Sequence, residues 1–196
     1  MKWRAAKWVL TSAAVLAMAV VALVFCLFDW SGKPFCHAQI MMTTRLWLNE
    51  VGEDGFFPDV DGSSADSLKV LLTDWDSKTA DSISNRYRYV PGLQGKDPGN
   101  LVLMYFNRPT RYTTHVSFPT VFDEKGWIIL PVDFGSRTTR DPVIATGECG
   151  ERVTTIEFKR RLRATLDFLR TNDRPHWQKV VAEHTAFLDE IEKIAP

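Results

Sequence analysis

Four groupings of residues in this chain have types and spacings that could do chemistry. His115 lies beside Ser117 and Thr113-Thr114, so an imidazole base could activate a hydroxyl nucleophile. No Gly-x-Ser-x-Gly elbow or paired catalytic motif accompanies it, and a strand histidine hydrogen-bonded at a sheet edge is the plainer reading. Asp54, Asp59 and Asp61, with Gly55 and Gly62, suggest a calcium loop. Their spacing lacks the alternating acids and the terminal Glu of that motif, which favours a solvated turn. Cys36 and Cys149 could form a disulfide closing a loop of roughly a hundred residues, worth about 4–5 kcal/mol in the chain-entropy model; two unrelated thiols are the alternative. Lys159, Arg160, Arg161, Arg163 and Arg170 give one basic helix face. Such a face can meet an acidic partner or anionic headgroups, although most are simply solvated. No catalytic residue, cofactor-binding residue or metal ligand is assigned. The partner-binding candidates are Lys159, Arg160, Arg163, Trp177 and Phe187.

The elements that must position these residues follow from periodicity. Pro34 can open a helix over 35–51, with Phe35, Ala38, Met41, Met42, Leu46 and Val51 as a loose apolar face and Gly52 as its stop. A Gly- and Asp-rich loop over 52–63 leads to an N-cap at Ser63 or Ser64 and a short helix to about Trp75. Residues 76–85 read as a polar loop. From Arg86 the period becomes two, predicting a strand over 86–90 that Pro91-Gly92 ends in a turn. Leu101–Phe106 is continuously apolar and reads as a central strand. Short strands are expected at 115–118 and 121–122, then a turn at 123–126 and a return strand over 127–130. Residues 133–150 read as irregular. Thr154-x-x-Glu157 is a capping box for a helix bearing Phe158, Leu162, Leu166 and Leu169. Asn172-Asp173-Arg174-Pro175 stops and restarts it. The last helix carries Trp177, Val180, His184, Phe187, Ile191 and Ile194 at 3,4 spacing. That seam could pair two copies, but the short connection favours an αα-hairpin.

Composition bounds the function. The chain has 196 residues, with 24 Lys+Arg against 24 Asp+Glu. Zero net charge argues against a nucleic-acid binder, which needs clustered surplus positive charge. With 45% hydrophobic residues the chain can bury a core, and three cysteines are too few for a disulfide scaffold. Residues 29–150 carry 16 acids against 12 bases, whereas residues 151–196 carry 9 bases against 8 acids. Trp8 to Phe28 contains no charged residue, and Lys2, Arg4 and Lys7 precede it. This predicts a transmembrane helix over 8–28 with residues 1–7 in the cytoplasm and the rest exported. A cleaved signal peptide is the main alternative and a lipoprotein cleaved at Cys26 a weaker one, but neither has the small residues its cleavage site needs.

Four segments carry a family resemblance: CHAQIMMTTRLWLNEVGEDGFFPDV from Cys36, SSADSLKVLL from Ser63, YRYVPGLQGKDPGNLVLMYF from Tyr87, and WIILPVDFG from Trp127. Together they resemble the exported part of pseudopilin-like proteins, the bacterial group related to type II secretion pseudopilins and type IV pilins. The likeness covers about half the chain, and Tyr87-x-Tyr89-Val90-Pro91-Gly92-Leu93 is its most specific piece. It departs from the family in lacking the Gly cleavage site and the Glu of the pilin N-terminus: no Glu precedes Glu50 and no Gly precedes Gly32. Asp133-Phe134-Gly135 stands where the family has Asp-Gly-His. The resemblance therefore implies a pilin-like fold on an ordinary anchor, not a fibre subunit.

The expected protein is α+β: a transmembrane helix running into a stalk helix, a pilin-like domain over 35–150 with a small antiparallel sheet of three or four strands packed on helices, and a C-terminal helical hairpin over 151–196. It is expected to sit in the inner membrane, single-pass, as a non-enzymatic scaffold. Its expected partners are the lipid bilayer along 8–28 and a protein of the cell envelope, with no cofactor and no nucleic acid. The competing class is an anchored hydrolase or transferase, with a deep polar pocket around His115, Asp133 and Tyr105.

Overall fold

Between residues 86 and 131 the apolar runs build most of an antiparallel sheet, seen in a computed structural model that describes residues 2–28, 37–52, 54–112, 119–134 and 150–194. Strands β1 (Tyr87–Tyr89), β2 (Val102–Phe106), β3 (Trp127–Pro131) and β4 (Glu151–Val153) lie in the order β1-β2-β3-β4. Tyr87 faces Phe106, Tyr105 faces Ile129, and Trp127 faces Val153. Every residue of β2 and β3 is buried. A sheet buried on both faces reads as a continuous apolar run, and that is what the sequence shows.

Side chains alternate across a strand, so one face carries Arg88, Tyr105, Trp127 and Ile129. Helices α5 (Thr155–Thr171) and α6 (Trp177–Ile194) cover it. Trp127 stacks on Phe158 with centroids 4.4 Å apart, and Tyr105 meets Phe158 and Phe187 at 5.1 and 5.4 Å. The other face carries Tyr87, Tyr89, Met104 and Phe106. Ile40, Leu68, Leu71, Leu72 and Ile83 complete the same buried core from helices α2 (His37–Val51), α3 (Ser64–Leu71), α4 (Ser77–Ser84) and the residue after α3.

The helix starts are set by side chains that satisfy free backbone N–H groups. The Ser63 hydroxyl accepts from the Asp66 N–H, the Asp76 carboxylate from the Thr79 N–H, and the Thr154 hydroxyl from the Glu157 N–H. At the other end of α2, Gly52 takes φ +77° and its N–H donates to the Leu48 carbonyl. Helices α5 and α6 pack as an antiparallel hairpin, and Val180, His184, Phe187 and Ile191 are buried in this chain's own core. The 3,4 seam is therefore filled within the molecule.

Three sequence expectations change. First, no helix among the described residues is long and apolar enough to cross a membrane. Helix α1 spans Lys2–Leu27. The transmembrane and single-pass assignment over 8–28, the inner-membrane placement and the cytoplasmic N-terminus all rested on that span and fall with it. Second, residues 77–84 form a helix rather than a loop; it buries only Ile83, too little apolar signal to read as periodic. Third, the turn at 123–126 does not join two paired strands. Residues 121–122 lie in a turn closed by Asp123 on Thr120, and β3 pairs with β2 and β4 instead. The unforeseen strand β4 lies just before the Thr154 cap, within the 151–196 span assigned to the helical hairpin. Residues 29–36, the expected run from first helix into stalk, lie outside the described residues, as do 115–118.

Candidate interaction site

Helix α2 sets the site by the phase of its faces. Ile40, Thr44 and Leu48 point inward at i, i+4 and i+8, each buried. Thr43, Leu46, Trp47 and Glu50 therefore share an outward stripe. The sequence reading placed Leu46 and Val51 on the buried side; they are 51% and 39% exposed. The turn after α3 faces this stripe. Its Trp75 Nε1–H donates to the Thr43 hydroxyl at 2.8 Å, and the Trp47 Nε1–H donates to the Phe56 carbonyl at 3.0 Å. Both indoles are thus fixed at the N–H edge while remaining partly open to solvent.

Between α2 and α3 lies an open cleft of about 630 Å³, lined by Leu46, Trp47, Val70 and Trp75, with Glu50, Asp74 and Asp76 among its polar walls. Hydrogen bonds from the Thr79 side chain and backbone hold the Asp76 carboxyl below its ordinary range, so it is ionised at neutral pH. A second concavity of about 400 Å³ lies across the ridge made by Trp47 and Val70, and Phe56, Phe57, Pro58, Val60 and His176 line it. No described lysine or arginine lines either surface. Leu46, Phe56, Val60 and Val70 each leave more than a third of their surface in solvent. Contiguous apolar exposure on a folded chain marks a contact surface.

The residues singled out in the sequence are placed differently. Lys159 and Arg163 both approach Glu192, at 3.9 and 2.5 Å, tying α5 to α6. Arg160 makes two 2.7 Å bonds to Glu157 on its own helix. Phe187 is 6% exposed and belongs to the core, touching the surface only in a groove of about 310 Å³ with Arg108, Trp127 and Glu190. Trp177 donates to Asp173 and lies ten residues from Phe187, about 15 Å along α6. The structure thus joins Lys159 to Arg163 but does not gather all five residues into one patch. Cys36, Cys149 and His115 lie outside the described residues. Asp59 meets the His176 ring at 3.3 Å, and no group of three metal-ligating side chains forms among the described residues.

Tyr105 is fully buried, with its hydroxyl 2.7 Å from Nδ1 of His184, also fully buried. Burial first, then the Arg88 charge, push the His184 ring down to about 4 from 6.5, while the Tyr89 backbone acts weakly the other way. Burial likewise lifts the Tyr105 phenol well above its ordinary value. The folded state therefore holds His184 neutral through a range in which the unfolded chain binds a proton. Stability contributed this way is complete above pH 6.5 and is lost as pH falls towards 4. We expect a loss on the order of 3 kcal/mol between pH 7 and pH 4 from this residue. Urea unfolding across that range should show a shallower acid slope for His184→Gln than for the native chain; parallel slopes would refute the assignment.

A comparison of the chain with family models, curated proteins and solved structures found no match. The likeness to pseudopilins rests on the four sequence segments alone.

Proposed function

We propose that this chain is a non-enzymatic protein-binding module, a scaffold component whose working surface is the Trp47–Trp75 cleft and the apolar ridge beside it. One observation carries the reading: exposed apolar side chains from α2, α3 and the loop over 56–60 converge on two adjoining concavities, and among the described residues no lysine or arginine lines either. Two indoles anchored by their N–H groups present rigid contact area at low entropic cost, the usual character of an interface hot spot. The resemblance to pseudopilins supports a scaffold role.

The test is loss of a specific complex in cells. Trp47→Ala with Trp75→Ala should weaken association with the native partner by at least about a hundredfold, as hot-spot truncations of about 2 kcal/mol each would. Charge reversal at the exposed Glu50 should also weaken it, without altering the melting temperature. Retention of the complex by both variants would contradict the proposal.

A further inference from the structure

Resting on that reading, we propose that the partner presents a basic amphipathic segment, with Lys or Arg side chains against Glu50, Asp74 and Asp76 and an apolar side chain between Trp47 and Trp75. Charge complementarity is the first argument. Three carboxylates line the cleft, and no described cation does. A cationic side chain entering it gains those carboxylates. An acidic or phosphorylated segment would meet like charge at Glu50, Asp74 and Asp76.

The shape supplies the second argument. The cleft lies between helix α2 and the end of α3, and the neighbouring concavity across the Trp47–Val70 ridge reaches Phe56 and Val60. A small cation would fill only the first hollow and leave this ridge bare. A segment with more than one apolar anchor can occupy both hollows, as amphipathic helices do in apolar grooves.

The experiment titrates the full-length chain with a synthetic amphipathic peptide of roughly five helical turns built from Lys, Leu and Ala, and with its counterpart bearing Glu for Lys. The basic peptide should bind and shift the tryptophan emission, and the acidic one should not. Raising ionic strength from about 0.05 to about 0.5 M should weaken binding about tenfold. Glu50→Lys with Asp74→Lys, both exposed side chains, should weaken it by at least about tenfold, with unchanged circular dichroism and melting. Equal binding of both peptides, or no effect of the reversal, overturns the inference. So does a self-associated species, seen by sedimentation, that the reversal dissolves, since a second copy would then be the occupant. If the native partner is lost from the Trp47/Trp75 variant yet the basic peptide does not bind, this inference fails while the module reading stands.

Discussion

Arg174→Met is expected to lower the free energy of unfolding by about 3–5 kcal/mol, the cost of leaving a buried charge without its partner. Arg174 sits in the turn between α5 and α6 and ion-pairs with Asp97, whose side chain is 4% exposed. Its other terminal nitrogen donates to Gln94 Oε1 at 2.6 Å, and the guanidinium lies 5.4 Å from the ring centres of both Phe56 and Phe168. The second Asp97 oxygen accepts the Gln94 N–H at 2.7 Å, and the Gln94 side chain reaches the Asp54 carbonyl. One guanidinium therefore holds the hairpin turn against the loop over 94–97. Methionine keeps much of the stem's volume but leaves Asp97 charged and buried. Adding Asp97→Asn should restore a measurable part of the loss. Urea unfolding of the single and double variants checks this; a single-variant loss below about 1 kcal/mol would place the pair with ordinary surface bridges.

Phe158→Ala should cost a similar amount, about 3–5 kcal/mol. Phe158 is fully buried, stacked on Trp127 with an 8° angle between rings and edge-on to Tyr105. Its removal opens a cavity at the seam where the hairpin meets the sheet, walled by stiff rings that cannot collapse into it. Phe158→Leu keeps most of the volume and should cost less than about 1.5 kcal/mol. Chemical denaturation of the two variants separates cavity formation from loss of aromatic stacking; equal losses would mean that stacking dominates.

The strength of local signals explains what could be read from the chain. Ser63, Thr154 and Gly52 mark helix ends with side-chain or backbone chemistry that acts within four residues, so those boundaries were visible. The β2 run from Val102 to Phe106 was visible because burial on both faces leaves no polar alternation. Helix α4 was hidden because only Ile83 is fully buried, with the small Ala80 packed partly against the core. Helix α2 was misphased because Leu46 and Val51 are apolar yet outward, while the inward Thr44 is polar and bonds back to the Ile40 carbonyl at 3.3 Å. The same inversion concealed the candidate site. Trp47 and Trp75 lie in the stretches Leu46-Trp47-Leu48-Asn49-Glu50 and Asp74-Trp75-Asp76, where tryptophan beside acids was the available signal. Their convergence depends on how α2 packs against α3, which no local pattern encodes. The basic face of α5 was legible, but its pairing with Glu192 required the hairpin.

The central claim is that the face around Trp47 binds another protein. The most direct measurement places a photo-crosslinking amino acid at Leu46 in the full-length chain in cells, and in separate variants at Phe122 and Ile156, which are 80% and 82% exposed elsewhere on the surface. The account predicts one discrete hetero-adduct from position 46, absent from positions 122 and 156 and lost when Trp47→Ala is added. Adducts of equal yield from all three positions, or none from position 46, would contradict it.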